Sequence, residues 1–217
     1  METEDIPESK LKILRSAEKL FAEKGFDGAR VDDIAERAGV NKALIYYYFK
    51  SKRHILEELC TNLIEEFAKM GYSLIGDLLD IEAMKYKEDN MPRLAEMVYQ
   101  FMEDKKDTIR IMMMESLKGS EKNPPLFKFA DIFMSDEARM LRKTFKDMGV
   151  NVDAIDADEQ LVADFFTGIM PMISFVVYRD KWSKYFNIDE EDLREKFLAV
   201  FQITHLAYHK VQLERMK

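Results

Sequence analysis

The chain has 217 residues, of which 47% are hydrophobic and 34% charged, and its formal net charge is −8. This mixture is typical of a folded globular protein and excludes an intrinsically disordered chain. The lone Cys60 excludes an intramolecular disulfide, and we find neither an apolar run of about 18 residues nor a secretory signal, so we expect a cytoplasmic protein without a membrane span.

The predicted fold class is all-α, because five prolines and eight glycines are few for a many-stranded sheet. The chain starts with a predicted loose tail over residues 1–7, and the first helix covers residues 9–24. Apolar side chains recur at helical spacing on one face of this helix, and Gly25 follows as its end. That face comprises Leu11, Ile13, Leu14, Ala17, Leu20 and Phe21.

Two short apolar segments joined by a tight turn come next. Gly39 lies where a helix ends with positive φ, and Asn41 can cap the following helix through its side-chain oxygen. The second segment covers residues 42–49. Two short helices around a glycine-bearing turn of this length predict a helix-turn-helix. The apolar face of the first segment comprises Val31, Ile34, Ala35 and Ala38.

Basic and aromatic side chains are concentrated in the second segment and just after it. Tyr46, Tyr47 and Tyr48 can each pack on a sugar or thymine methyl and donate to a phosphate oxygen. The alternative is a basic surface helix whose tyrosines all belong to the core, but the whole combination favours DNA binding. The four charged residues of positions 41–53 are all positive, namely Lys42, Lys50, Lys52 and Arg53.

The acidity of the chain lies outside this region. Residues 1–55 hold eleven basic and ten acidic residues, a net charge of +1, whereas the remainder holds 22 and 31, a net charge of −9. Negative charge on the larger part keeps the protein soluble and repels DNA from the wrong face.

These positions resemble the DNA-binding domain of TetR-family transcriptional regulators over roughly the first quarter of the chain. The matching pattern is Phe21, Gly25, Phe26, then Val31-x-x-Ile34-Ala35-x-x-Ala38-Gly39-Val40-x-Lys42-x-x-Ile45-Tyr46-x-Tyr48-Phe49-x-Ser51-Lys52. The resemblance implies that helix 42–49 enters the major groove, with base or backbone contacts from Lys42, Ala43 and Tyr47 and phosphate contacts from Tyr48 and Lys52. The candidate DNA-binding residues are Arg30, Asn41, Lys42, Ala43, Tyr46, Tyr47, Tyr48 and Lys52.

The sequence departs from the family pattern at four of these positions. Arg30 stands where a Thr or Ser usually caps the helix, so a hydroxyl cap is lost, although an arginine can reach a phosphate. Asn41 replaces the more common Ser and still caps. Ala43 and Tyr48 replace a common Gly and His, which bears on the base sequence that is read.

Two domains are predicted, a helix-turn-helix head over residues 7–67 and a helical ligand-binding and dimerisation domain over residues 68–217. Ser51 is the predicted N-cap of a fourth helix, which could run to about residue 79 and would be the covalent link between them. We expect Pro171 to kink a very apolar helix. The other predicted elements are a connection over 80–90, a helix with Pro92 in its first turn, helices over 104–118, 126–148, 158–179 and 190–214, and loops over 119–125, 151–157 and 181–187, with Asp156 and Asp189 as N-caps.

The last two helices are apolar over more faces than one monomer's core requires. Large apolar surfaces on globular proteins usually mark partner sites, and the resemblance also implies a four-helix dimer interface. The alternative is the centre of a large monomer. A homodimer would place two heads on half-sites about 34–36 Å apart in a pseudo-palindromic operator.

Fifteen methionines, many of them in the middle helices, make an adaptable apolar cavity plausible. The resemblance implies such a cavity for a small lipophilic effector, whereas ordinary core packing is the alternative for any single Met. The candidate pocket residues are Met102, Met112, Met113, Phe165, Phe166 and Met170.

The function predicted is therefore a ligand-responsive transcriptional regulator, a repressor that binds DNA as a homodimer and is released by its effector, with no cofactor. One alternative is a helix-turn-helix regulator controlled by protein contacts alone. Another is a helical metal-binding enzyme, since His205 and His209 lie four residues apart on one helix face. We find no third ligand nearby in the sequence, no phosphate-binding loop and no nucleophile elbow, so no metal site or catalytic residue is predicted.

Overall fold

The computed structural model describes residues 7–78, 87–118, 124–133 and 135–216. Within these ranges it contains helices and no strand, which confirms the all-α class. Two π-helical segments, Asp164–Ile169 and Gln202–Leu206, each join two α-helices end to end. Short 3-10 turns cover Pro125–Phe127 and Val152–Ala154. The α-helices are α1 (Glu8–Gly28), α2 (Val31–Ala38), α3 (Lys42–Tyr48), α4 (Lys52–Leu78), α5 (Lys87–Asp104), α6 (Lys106–Leu117), α7 (Lys128–Phe133), α8 (Asp136–Asp147), α9 (Ala157–Ala163), α10 (Met170–Phe186), α11 (Glu190–Phe201) and α12 (Ala207–Arg215).

The chain divides into two compact units. The first comprises the chain up to Glu66 together with Asp107–Leu126, and the second comprises Phe67–Lys106 together with Phe127–Lys217. The backbone therefore passes between the units three times, within α4, at the start of α6 and after residue 126. α4 is one covalent link among three.

The first unit is built on a small core shared by α1, α2 and α3. The apolar stripe predicted for α1 is largely buried, and Phe21 packs against Phe26 with ring centroids 5.3 Å apart. Ile34 of α2 and Ile45 of α3 are buried as well, as is Phe49 directly after α3. α2 and α3, with eight and seven residues, are stable here because each buries an apolar face in this core, since helices of this length are marginal in isolation.

Gly25 interrupts α1 where the sequence predicts its end. The residue has φ 72° and ψ 163°, and one more turn follows before the helix stops at Gly28. Because this conformation lies outside what L side chains adopt, glycine is required to redirect the chain here.

α6 lies beside α1 in the first unit through polar contacts. Lys19 Nζ donates to Asp107 Oδ2 at 2.8 Å, and Arg110 Nη2 donates to the carbonyl of Ala22 at 2.6 Å. The segment that carries α6 thus contributes to the first unit, although α6 starts 58 residues after α3 ends.

Three predictions about later helices are wrong. The single helix over 126–148 is two helices, because Ser135 accepts a hydrogen bond from the N–H of Ala138 and starts α8 anew. The loop over 181–187 is helical up to Phe186, and only Asn187, with φ 52°, leaves the helix. α5 begins at Lys87, so Pro92 lies beyond the first turn that was predicted for it.

Pro171 lies two residues after the end of the first π segment, and the kink expected at this proline stays a prediction. Proline has no N–H to donate, so the carbonyl one turn earlier lacks its usual partner. Here the backbone widens to i→i+5 bonding over Asp164–Ile169, immediately before the helix that contains Pro171.

The N-caps predicted at Asn41, Asp156 and Asp189 are confirmed, since each side chain accepts backbone N–H bonds.

One stretch, Ala157–Phe186, is long and apolar enough to cross a membrane by length and composition. The expectation that the sequence has no such run is corrected to that extent. Asp164 on this stretch is buried, and Arg179 Nη2 lies 3.1 Å from Glu103 Oε1. We interpret the stretch as a core helix, because helices in the interior of globular proteins satisfy the same criterion.

Some predictions fall on residues outside the described ranges. These are the tail up to residue 6, most of the connection over 80–90 and most of the loop over 119–125.

Candidate nucleic-acid interface

The turn between α2 and α3 sets the direction of the candidate recognition helix. Gly39 has φ 67° and ψ 33°, which confirms the positive φ predicted for it. Its N–H donates to the carbonyl of Glu36 at 3.1 Å, and the N–H of Val40 donates to the carbonyl of Ala35 at 3.0 Å. These two bonds close the C-terminus of α2 and lead directly into α3.

α3 is held at its start by a cap and along its inner face by buried side chains. Asn41 Oδ1 accepts a hydrogen bond from the N–H of Leu44 at 2.8 Å. Ile45 and Phe49 are fully buried and anchor the inner face. Because the side-chain oxygen of Asn41 caps the helix, a DNA contact from this side chain would use its amide nitrogen.

The outer face of α3 presents aromatic side chains to solvent. Tyr47 is 79% exposed and Tyr46 is 50% exposed. Lys42 and Ala43, in the first turn, are exposed on the same short helix. The alternative that all three tyrosines belong to the core is therefore wrong for Tyr46 and Tyr47, whose side chains are exposed.

Tyr48 is only half-buried and is tied to α1. Its hydroxyl lies 2.9 Å from the Oγ of Ser9, and either group can donate. Its ring packs edge-on against Tyr47 with the centroids 5.0 Å apart. This contact holds the phenol of Tyr48 against the start of α1, and a phosphate would reach its hydroxyl at that edge.

Lys42 has an acidic partner that its neighbours in sequence do not reveal. Its Nζ lies 2.7 Å from Asp32 Oδ1, at the start of α2. This hydrogen bond raises the pKa of Lys42, so the side chain is positive throughout the physiological range. Both groups are exposed, and such a pair is weak in water, so phosphate can compete with Asp32 for the ammonium.

Lys52 makes a structural contact with the end of α1. Its Nζ donates to the carbonyl of Phe26 at 2.6 Å and to that of Ala29 at 2.9 Å. The ammonium also lies 4.4 Å from the centroid of the Phe26 ring. The lysine thereby satisfies carbonyls that the distorted end of α1 leaves without helical partners, a role that the sequence does not indicate.

Arg30 occupies the N-cap position of α2 and makes no capping hydrogen bond with its side chain. The loss of a hydroxyl cap is thus confirmed. The side chain is exposed. Asp32 and Asp33 follow in the first turn, where negative charge favours the helix dipole.

The candidate pocket residues are divided between the two units. Met112 and Met113 belong to the first unit, and the remaining four belong to the second. Met102, Met112 and Phe165 are buried, Met113 and Met170 are half-buried, and Phe166 is 63% exposed. The Phe165 ring packs edge-on against Phe127 at 5.7 Å.

The second unit also brings together two histidines and a carboxylate. His209 Nε2 lies 3.1 Å from His205 Nε2 and 3.1 Å from Asp164 Oδ1. Burial, with a smaller contribution from the neighbouring His209, lowers the pKa of His205 to about 4. His205 is therefore neutral at pH 7. Asp164 lies forty-one residues before His205, so sequence spacing gave no sign of it.

Comparison with known proteins agrees with this geometry. Residues 13–59 match the family model described as bacterial regulatory proteins, tetR family. An uncharacterized HTH-type transcriptional regulator from Bacillus subtilis (strain 168), YdgC, is 33% identical over 107 residues, which cover 48% of this chain and 52% of YdgC. The Staphylococcus aureus (strain Newman) negative regulator of the biofilm operon icaADBC, IcaR, is 49% identical over 47 residues, 22% of this chain and 25% of IcaR.

The chain thus matches about half the length, or less, of these curated relatives.

Two solved structures share the fold over most of both chains. The fatty acid degradation regulator FadR from Bacillus halodurans is 19% identical with a TM-score of 0.61, covering 91% of this chain and 96% of that one. FadR from Bacillus subtilis, in complex with stearoyl-CoA, is 18% identical with a TM-score of 0.57, covering 88% and 96%.

A three-helix head with a capped, glycine-closed turn and an exposed, basic and aromatic third helix has the architecture of a helix-turn-helix domain. Residues 13–59 of that head match the model of the tetR family of bacterial regulatory proteins, and the head is similar in sequence to HTH-type transcriptional regulators. The all-α fold is shared with the solved structures.

Proposed function

We propose that the protein is a repressor that binds a pseudo-palindromic DNA operator as a homodimer and is released by a small lipophilic effector. The observation that carries this proposal is the exposed outer face of α3, where Tyr46 and Tyr47 project beside Lys42 from a helix whose inner face is buried. Such a helix can enter the major groove without rearranging the head.

Within the proposal, each candidate DNA-binding residue has a separate role. Tyr47 and Ala43 face base edges, Tyr46 flanks them, and Lys42 exchanges Asp32 for a phosphate or a base. Tyr48 and Arg30 contact the backbone. Lys52 contributes by fixing the end of α1, and its charge adds to the local positive potential.

A homodimer is supported by the apolar side chains that the last helices expose. Val162 and Tyr178 are exposed on the α9–α10 pair, and Val200 and Ile203 are exposed on the pair formed by α11 and α12 with their π segment. Exposed apolar side chains of this kind are costly in water and suit burial against a symmetry-related copy. The second domain, residues 68–217, would then supply the dimer interface, and residues 7–67 the head.

A lipophilic effector is supported by the buried Met and Phe side chains of the second unit and by the fatty acyl ligand named for the Bacillus subtilis structure. The effector has to bind the DNA-incompetent state better than the competent one, or it shifts nothing. Three backbone connections join the units, so a shift in the second unit can change the spacing of two recognition helices. A coupling of about 2–3 kcal/mol gives roughly a hundredfold loss of operator affinity.

The alternative without an effector is a regulator controlled by protein contacts alone. A thermal-shift screen with fatty acids and acyl-CoA esters separates the two, because a ligand that binds the native state raises the melting temperature by mass action.

A DNA-binding regulator of either kind would operate in the cytoplasm, where its DNA is.

Selection of bound sequences from a random DNA pool, with purified protein at fixed salt, tests the central claim. We expect enrichment of an inverted repeat whose half-site centres lie about one helical turn, or a multiple of it, apart. Tyr47→Ala should lose the enrichment, while Tyr185→Ala, an equally exposed tyrosine of the second unit, should keep the same half-sites. Binding that is salt-sensitive but independent of sequence would contradict a specific repressor.

A further inference from the structure

The cluster of His205, His209 and Asp164 has the spacing of atoms that share a metal ion. A cation about 2.1 Å from each ligand holds neighbouring ligand atoms about 3.0 Å apart in octahedral geometry and about 3.4 Å apart in tetrahedral geometry. The two distances from His209 Nε2, to His205 Nε2 and to Asp164 Oδ1, are both 3.1 Å. All three ligand atoms lie within 4.8 Å of one another.

Hydrogen bonds outside the cluster orient the lone pair of His205 towards it. Thr167 Oγ1 donates its proton to the carbonyl of Ala163 at 2.7 Å, so it accepts from His205 Nδ1 at 3.0 Å. With Nδ1 protonated, Nε2 of the neutral ring carries a lone pair on the side of His209 and Asp164. A histidine whose second nitrogen donates to a fixed oxygen is the usual arrangement of a metal ligand.

The backbone around the cluster is shaped to admit this imidazole. A Cβ added at Gly168 would lie 2.6 Å from His205 Nε2 and 2.7 Å from its Cε1. Asp164, Thr167 and Gly168 belong to the first π segment and His205 to the second, and π turns inside α-helices are frequent at functional sites.

The cluster places a buried carboxylate next to two imidazoles. Asp164 is only 5% exposed, and a buried carboxylate is costly unless it is paired. The ionic partner that the described part of the chain gives it is His209, which is positive only when protonated. A divalent ion would balance the carboxylate and accept both imidazoles at once.

We propose that Asp164, His205 and His209 form a binding site for one first-row divalent transition-metal cation per chain. Two imidazoles with one carboxylate suit zinc and its neighbours, whereas Mg²⁺ and Ca²⁺ prefer oxygen ligands. The ion would tie the α9–α10 pair to the α11–α12 pair at their π segments. The site is separate from the DNA-binding head, and its existence does not depend on the proposed operator or effector.

Metal titration of the full-length, chelator-treated protein tests the site. Zn²⁺ measured by calorimetry and Co²⁺ measured by visible absorption should each bind at one equivalent per chain, and zinc should raise the melting temperature. His209→Ala and Asp164→Asn should lower zinc affinity by at least about tenfold. The matched control is His54→Ala, which removes the remaining histidine of the chain and should leave metal binding unchanged.

Two results would overturn the proposal. The first is a wild-type protein that shows neither a cobalt spectrum nor a zinc-dependent rise in melting temperature, an outcome that needs no variant to fold. The second is a folded His209→Ala or Asp164→Asn protein that binds zinc as tightly as the wild type. In either case the three side chains would form a hydrogen-bonded contact between helices and would not bind a metal.

Discussion

The α2–α3 turn and the two π segments both interrupt regular helix, yet they have different origins. At the turn, Gly39 and Asn41 carry the conformation in their own chemistry, one by lacking a Cβ and the other by capping. At the π segments, His205 packs against Gly168, a residue thirty-seven positions earlier in the chain. The turn is thus set by neighbouring residues, whereas the contact of His205 with Gly168 arises only when distant helices pack together.

The largest effect is expected where packing decides. In Gly168→Ala the new methyl would lie 2.6 Å from the His205 ring, which is buried and bonded to Thr167, so the ring cannot simply move aside. We expect a loss of about 3 kcal/mol, at the upper end for overpacking in a core, measured by urea unfolding. The matched control is Gly71→Ala, in another helix with no atom within 4 Å, which should be neutral or stabilising. Equal stability of the two variants would remove the packing argument.

The next effect tests the local rule at Gly39. Nothing lies within 4 Å of a Cβ built there, so any loss comes from the backbone conformation alone. Gly39→Val should destabilise the head by about 2 kcal/mol, because a β-branched residue resists positive φ. Gly39→Asn should be far milder, since asparagine tolerates the left-handed region. Equal melting temperatures for Gly39→Val and Gly39→Asn would show that the turn does not require a positive φ at this residue.

Lys42→Ala is expected to act on binding and not on folding. It should weaken operator binding by about 1–3 kcal/mol if Lys42 reads a base, as measured by titration of the selected DNA at matched salt. Asp32→Asn is the informative counterpart, because it removes the acidic partner at 2.7 Å and frees the ammonium. If Lys42→Ala binds the operator as tightly as the wild type, Lys42 does not contact DNA and only pairs with Asp32.

The smallest effect is expected at the cap. Asn41→Ala removes the acceptor for the N–H of Leu44 and should lower the stability of the head by about 1 kcal/mol. Asn41→Ser should retain most of it, as serine caps comparably. A thermal melt that shows no difference between Ala and Ser would mean that packing of Ile45 and Phe49 alone sets where α3 begins.

The sequence predicts well those features that depend on neighbouring residues. The caps at Asn41, Asp156 and Asp189 and the turn at Gly39 are local and are confirmed. The break before α8 also had a local signal, the capping oxygen of Ser135, which the continuous apolar pattern obscured.

The remaining features could not be read from neighbouring residues. The pair of Lys42 with Asp32 joins different helices, and the contacts of Lys52 are made with carbonyls more than twenty residues away. Asp164 meets His209 across two helices. Each of these contacts depends on how the helices pack. The apolar periodicity and the residue spacing of the sequence therefore do not predict them.

The first π segment has a further consequence for the exposed side chains on either side of it. Val162 precedes it and Tyr178 follows it, and both are exposed. In an uninterrupted α-helix, at about 100° per residue, their sixteen-residue separation would turn them about 160° apart, on nearly opposite sides. A π turn absorbs one extra residue, which brings the angle to about 60°. The π turn therefore brings the exposed side chains of Val162 and Tyr178 to the same side of the helix on which both lie.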